Sequence, residues 1–131
     1  MKFKPHHAAF TVNNLQESIK WYQETLGFTV THTYEKHGGG RALLECGDVR
    51  IELFNFGKET KPLPDYRKEL MEDLQVQGIK HLCIEVEDLD KMVALLHEKG
   101  IKTREIDTAG FGGRYTFFKD CNGILIELYQ K

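Results

Sequence analysis

The strongest constraint on this chain is that it says one phrase twice. Residues 7–28 read HAAFTVNNLQESIKWYQETLGF and residues 81–101 read HLCIEVEDLDKMVALLHEKGI. Adding 74 to the first copy carries His7 to His81, Val12 to Val86, Asn14 to Asp88, Leu15 to Leu89 and Ile19 to Val93. Self-similarity at a fixed period marks two copies of one supersecondary unit. In each copy an alternating stretch passes through a polar N-cap into helical spacing and stops at a glycine, Gly27 or Gly100. Strand followed by helix is the reading.

In the first copy Ala8, Phe10 and Val12 share one strand face, and His7, Ala9 and Thr11 the other. Asn13 or Asn14 caps the helix, with Glu17 in capping-box register to Asn14. Leu15, Ile19, Tyr22 and Leu26 form its buried stripe. The β-branched and aromatic residues of 28–35 predict a second strand, ended by Gly38, Gly39 and Gly40. A third strand covers 41–46, and Gly47 with Asp48 turns the chain into a fourth at 49–56. The second copy replays this order: strand 81–86, a helix capped by Asp88 with Leu89, Met92, Val93 and Leu96 inward, then strands at 101–108, 115–119 and in ILIELYQ. Between the copies, KETKPLPDYRKELMEDLQVQ predicts a short helix from about Asp65 to Gln75 after its prolines, a linker that also covers something.

The predicted class is therefore α+β. Two β-α-β-β-β modules, 5–57 and 79–131, are joined by a helical linker at 58–78 within one domain spanning 1–131. They build a curved mixed sheet with the helices on its convex face. Neither half alone buries much surface. Eighteen basic residues against twenty acidic give a net charge of −2 without blocks of like sign. Electrostatics thus point to neither a nucleic acid nor a membrane surface, and leave a small-molecule substrate or a protein as partner. No apolar run approaches a membrane span and no apolar signal region follows MKFKPHH, so a cytoplasmic location is expected. Cys46, Cys83 and Cys121 form no CxxC pair, and buried free thiols are the expectation. Exposed strand edges suggest a homodimer, and the two modules could pair within one chain or across two.

The chemistry falls on the strand faces turned away from the helices. That face carries His81, Cys83 and Glu85 in one strand, Arg50, Glu52 and Phe54 in another, and Leu125, Glu127 and Tyr129 in the last. His7 and Glu52 thus repeat as His81 and Glu127. Two imidazoles and two carboxylates suit a divalent transition metal, and the carboxylates neutralise its charge. On a six-coordinate ion they leave two positions for a substrate that binds through two oxygens, the metal acting as Lewis acid and template. His32, His37 and His97 have no repeat mate and are expected at the surface.

At these residues the sequence resembles the vicinal oxygen chelate superfamily, which contains glyoxalase I, extradiol dioxygenases, methylmalonyl-CoA epimerase, fosfomycin-resistance enzymes and bleomycin-binding proteins. The resemblance covers nearly the whole chain. It is carried by HAAFTVNNLQESIKWYQETLGF, RIELFNF, KHLCIEVEDLDKMVALLHEKG and FFKDCNGILIELY. It implies a glyoxalase-like fold in which His7, Glu52, His81 and Glu127 match the metal set of glyoxalase I, with Glu127 as base and Glu52 sharing the proton shuttle. Thr11 stands where bacterial glyoxalase I has an arginine, and Cys121 where the family's DPxG turn has its proline. Arg41 and its mate Arg114 are candidates to face an anionic substrate, and Phe54 and Tyr129 to line the groove.

The implied function is a metal-dependent lyase or isomerase resembling glyoxalase I. It would act on a small α-oxygenated carbonyl compound, or its thiol adduct, through an enediolate. Zinc, nickel, cobalt or manganese would each serve, and iron only for oxygen chemistry. Two alternatives stay open: a non-catalytic binder using Phe54, Phe56, Tyr115 and Tyr129, and an iron dioxygenase. Specificity is assigned to the loops at 38–41, 58–78 and 109–113.

Overall fold

The computed structural model describes residues 1–36 and 39–131, so the expectations for His37 and Gly38 lie outside the described residues. The chain forms two compact units, Met1–Pro62 and Leu63–Lys131. Each carries one four-stranded mixed sheet and the class is α+β. No described helix is long and apolar enough to cross a membrane.

In the first unit, β1 (Ala8–Thr11) leads through α1 (Leu15–Leu26) to β2 (Thr29–Lys36), β3 (Gly39–Cys46) and β4 (Val49–Asn55). The sheet order is β1-β4-β3-β2, with β1 parallel to β4 and the remaining pairs antiparallel. Asn14 caps α1 through its Oδ1, which accepts from the Glu17 amide at 3.0 Å. Gly27 ends the helix in the left-handed region at φ 75°. Leu15, Ile19 and Tyr22 are buried, as are Ala42, Leu44, Ile51 and Leu53 of the sheet. The period-2 alternation of β4 therefore leaves Arg50, Glu52 and Phe54 on the other face.

Gly39 and Gly40 do not end a strand, as the sequence reading has it; they begin β3. The reason is steric. A Cβ at Gly39 would lie 2.4 Å from the Asn55 carbonyl oxygen, and Gly40 has φ 147° with the Tyr34 carbonyl 2.2 Å from its would-be Cβ.

The second unit runs through a 3₁₀ turn at Asp65–Lys68 and α2 (Leu70–Leu74) into β5 (Leu82–Glu85). It continues as α3 (Leu89–Glu98), β6 (Asp107–Thr108), β7 (Arg114–Lys119) and β8 (Leu125–Gln130). The order β5-β8-β7-β6 repeats that of the first sheet, with β5 parallel to β8. Asp88 caps α3 by accepting from the Lys91 amide at 2.9 Å. Leu89 and Leu96 are fully buried beside Ile126 and Leu128 of β8.

Two expected elements come out differently. The helix expected over Asp65 to Gln75 is broken at Glu69, whose backbone is extended (φ −110°, ψ 118°). The break lets Leu70 pack with Phe117 and Leu125, and buries Asp73 against Arg67 (3.3 Å) and Lys80 (3.6 Å). Tertiary packing overrides local propensity here. The strand expected at 101–108 shrinks to two residues plus an isolated bridge, Thr103 to Phe118. Cys46, Cys83 and Cys121 are exposed rather than buried, and none forms a disulfide. Cys83 sits on the sheet face turned away from α3, and Cys46 and Cys121 flank turns.

Candidate functional site

In the first unit His7 lies directly before β1 and Glu52 on β4, and the parallel pairing of these strands puts Ala9 opposite Glu52. His7 Nε2 is 3.5 Å from Glu52 Oε1, with the side chains 37% and 23% exposed. The other ring nitrogen of His7, Nδ1, is 2.8 Å from His6 Nδ1. In the second unit Cys83 of β5 is opposite Glu127 of β8, and Phe117 of β7 is its neighbour on the far side. His81 Nε2 is 2.8 Å from Glu127 Oε2, at 18% and 16% exposure. The imidazole meets Phe117 at 4.8 Å between ring centres, with the planes at 89°. The second imidazole nitrogen, Nδ1, is buried without a hydrogen-bond partner.

Buried polar atoms are almost always satisfied, so the bare Nδ1 separates His81 from an ordinary core histidine. Nitrogen beside carboxylate oxygen is a donor combination that divalent transition ions accept, and the chemistry of both pairs fits such an ion. Each pair by itself supplies two donors. Among the described residues no group of three or more His, Cys, Asp or Glu side chains stands ready to hold a metal.

Cys83 adds to the electrostatics of the second pair. Although the residue as a whole is exposed, partial desolvation of its sulfur, followed by the charge of Glu127 and a hydrogen bond to it, pushes the thiol up to about 12. It is a neutral donor beside the carboxylate, not a nucleophile.

The second unit also contains a cleft of about 890 Å³. His81 and Glu127 line it together with Phe117, the α2 residues Leu70, Met71 and Leu74, and the segment around Phe111. Met71, Leu74, Phe111 and Arg104 are not among the residues the sequence singles out. The only signal for Met71, Leu74 and Phe111 is the placing of specificity in the segments 58–78 and 109–113, and Arg104 has none.

The other candidates are occupied by neighbours. Arg114 donates to Asp90 at 2.8 Å and to Gln130 at 3.3 Å, beside the N-terminus of α3, where Gln130 also accepts from the Leu89 amide. Arg114 and Asp90 hold each other charged, the arginine raised and the carboxyl lowered from their ordinary values. Arg41 lies over the Tyr34 ring, 5.5 Å from its centroid. Phe54 stacks parallel to Phe56 at 6.2 Å. Tyr129 gives its hydroxyl to the Gly112 carbonyl at 2.8 Å and leans on Phe111. His32 and His97 are exposed, His97 bonding Thr103 at 3.0 Å.

Comparison with known proteins agrees with this architecture. The family model Glyoxalase/Bleomycin resistance protein/Dioxygenase superfamily matches residues 4–128. The protein YwkD of Bacillus subtilis is 38% identical over 96% of this chain and 95% of its own. An ethylmalonyl-CoA/methylmalonyl-CoA epimerase of Cereibacter sphaeroides is 30% identical over 95% of this chain and 96% of its own. The crystal structure of a glyoxalase family protein from Enterococcus faecalis superposes with a TM-score of 0.80 at 29% identity, over 96% of both chains. With its duplicated β-α-β-β-β units and a histidine–glutamate pair in each, the chain belongs to the glyoxalase/bleomycin resistance protein/dioxygenase superfamily.

Proposed function

We propose that the chain is a metal-dependent isomerase or lyase that moves a proton at a carbon adjacent to a carbonyl, on a thioester or a related thiol adduct. The observation that carries this reading is the close, half-buried His81–Glu127 pair at the edge of the cleft, repeated as His7–Glu52 in the other unit. The epimerase relative supports the thioester, because epimerising such an acyl group consists of removing and returning that proton.

His7, Glu52, His81 and Glu127 are proposed as the donors to the ion, zinc, nickel, cobalt or manganese. When bound, the ion supplies Lewis acidity that makes the neighbouring carbon–hydrogen bond more acidic. Glu127 accepts the proton from carbon while His81 fixes the direction of its carboxylate. Phe117 shields the pair from water on one side. Glu52 returns a proton to the carbon, so one carbon–hydrogen bond breaks and one forms with no change of oxidation state.

The test is deuterium exchange. Metal-loaded protein in D2O with methylmalonyl-pantetheine should wash out the α-proton signal by NMR, and stripping the metal should stop it. No exchange with any of the four ions would sink the reading. A second reading, a non-catalytic binder, is favoured by the exposed apolar residues around the cleft. It predicts binding and thermal stability indifferent to metal. Oxygen uptake with a catechol and iron would point instead to a dioxygenase.

A further inference from the structure

We propose that the cleft of the second unit is a subsite for an uncharged apolar arm of the substrate, several carbons long, running from Glu127 between α2 and the loop that carries Phe111. This deepens the reading above and rests on it only for which end of the ligand reacts.

Three observations carry it. The first is the pairing of two anchored apolar walls. Met71 and Leu74 stand 60% and 46% exposed on one, and Phe111 83% exposed on the other, although all three line the same cavity. Apolar side chains left in water around one concavity mark a ligand site more often than scattered surface residues do.

The second is that both walls are held still. The α2 wall is tied by buried Asp73 to Arg67 and Lys80. The loop wall is tied by the Ala109 amide to the Gly113 carbonyl at 3.0 Å, and by the Tyr129 hydroxyl to Gly112. Gly113 makes that seat possible, since a Cβ there would lie 2.6 Å from the Tyr129 hydroxyl and φ is 80°. A preorganised cleft loses little entropy on binding.

The third is charge. Among the described residues, Arg104 is the one lysine or arginine lining the cleft, against Glu105, Asp107 and Glu127. Such a lining has no net positive potential for a phosphate or a carboxylate, so the arm it accepts is neutral. Its volume, about 890 Å³, also exceeds what a short acyl group fills and lies in the range of clefts that enclose whole small ligands.

The test is calorimetric titration with S-alkyl pantetheine thioethers carrying two, four, six and eight carbons, which bind without reacting. Affinity should rise about three- to fourfold per added methylene, the increment for moving it out of water. The slope should flatten in Phe111→Ser and in the double variant Met71→Ser with Leu74→Ser, whose exposed positions leave folding intact. A series flat in the unchanged protein, or a slope that survives these substitutions, overturns the proposal. So does sedimentation showing that the double variant splits a dimer, which would assign this face to a second copy. Because the probes are inert, failed proton exchange with a positive slope would sink only the catalytic reading.

Discussion

Each unit places a histidine–glutamate pair at the equivalent point of its own sheet, yet the pairs differ in tightness and setting. His7 and Glu52 are 3.5 Å apart and more open to solvent, with His7 also touching His6. His81 and Glu127 are 2.8 Å apart, less exposed, and flanked by Phe117 and Cys83. The cross-strand neighbours account for the contrast. Glu52 has Ala9 and Leu43 beside it, where Glu127 has the Cys83 thiol and a phenyl ring perpendicular to its histidine. The repeat supplies an equivalent pair in each unit; packing makes the second drier and sets it at a cleft. In the proposed mechanism the second pair abstracts the proton and the first has a share in holding the ion and returning the proton.

The largest expected effect probes what the pairs share. If both supply donors to one ion, His7→Ala and His81→Ala should each weaken metal affinity by on the order of 100-fold, about 2.7 kcal/mol. Titration with cobalt, followed in its visible spectrum, measures this, and one metal per chain surviving either loss would break the shared set. A difference confined to the second unit comes next. Asp73→Ala leaves Lys80 and Arg67 without their carboxylate and should cost roughly 2–3 kcal/mol, read as a fall in urea midpoint. A change below half a kcal/mol would show that α2 is not anchored by this residue.

Smaller still, the two helix caps should behave alike. Asn14→Ala and Asp88→Ala each remove one side-chain acceptor from an amide and should cost about 1 kcal/mol. Unequal losses would mean that the units tolerate local damage differently. The smallest effect concerns reactivity. With its thiol raised to about 12, Cys83 stays protonated through pH 8, and Ellman's reagent should modify Cys46 and Cys121 first. The neutral thiol's contribution to stability is present below pH 9 and is lost as pH rises toward 12. Glu127→Gln removes the neighbouring charge and should quicken labelling of Cys83; no change would detach the thiol from the carboxylate.

Much of this molecule is local and can be read from sequence. The caps at Asn14 and Asp88 and the stop at Gly27 follow from nearest neighbours, and the burial of Ile51, Leu53, Ile126 and Leu128 follows from strict alternation. The same alternation places Glu52 and Glu127 on the faces away from α1 and α3, where a histidine meets each. What sequence could not supply is non-local. The break at Glu69 is set by Leu70 seeking Phe117 and Leu125, and Asp73 is buried because Arg67 and Lys80 fold back on it. Gly39 and Gly40 look like punctuation until Asn55 and Tyr34 are seen to press on them. Arg114 looks like a substrate anchor until Asp90 and Gln130 claim it.

The division of labour between the pairs is tested most directly by comparing Glu127→Gln with Glu52→Gln in α-proton exchange, at matched metal content. The account predicts that Glu127→Gln slows wash-out of the α-proton by about 10²- to 10⁴-fold, the usual worth of a general base, while Glu52→Gln still permits exchange with solvent and slows inversion. Undiminished exchange in metal-loaded Glu127→Gln would contradict it.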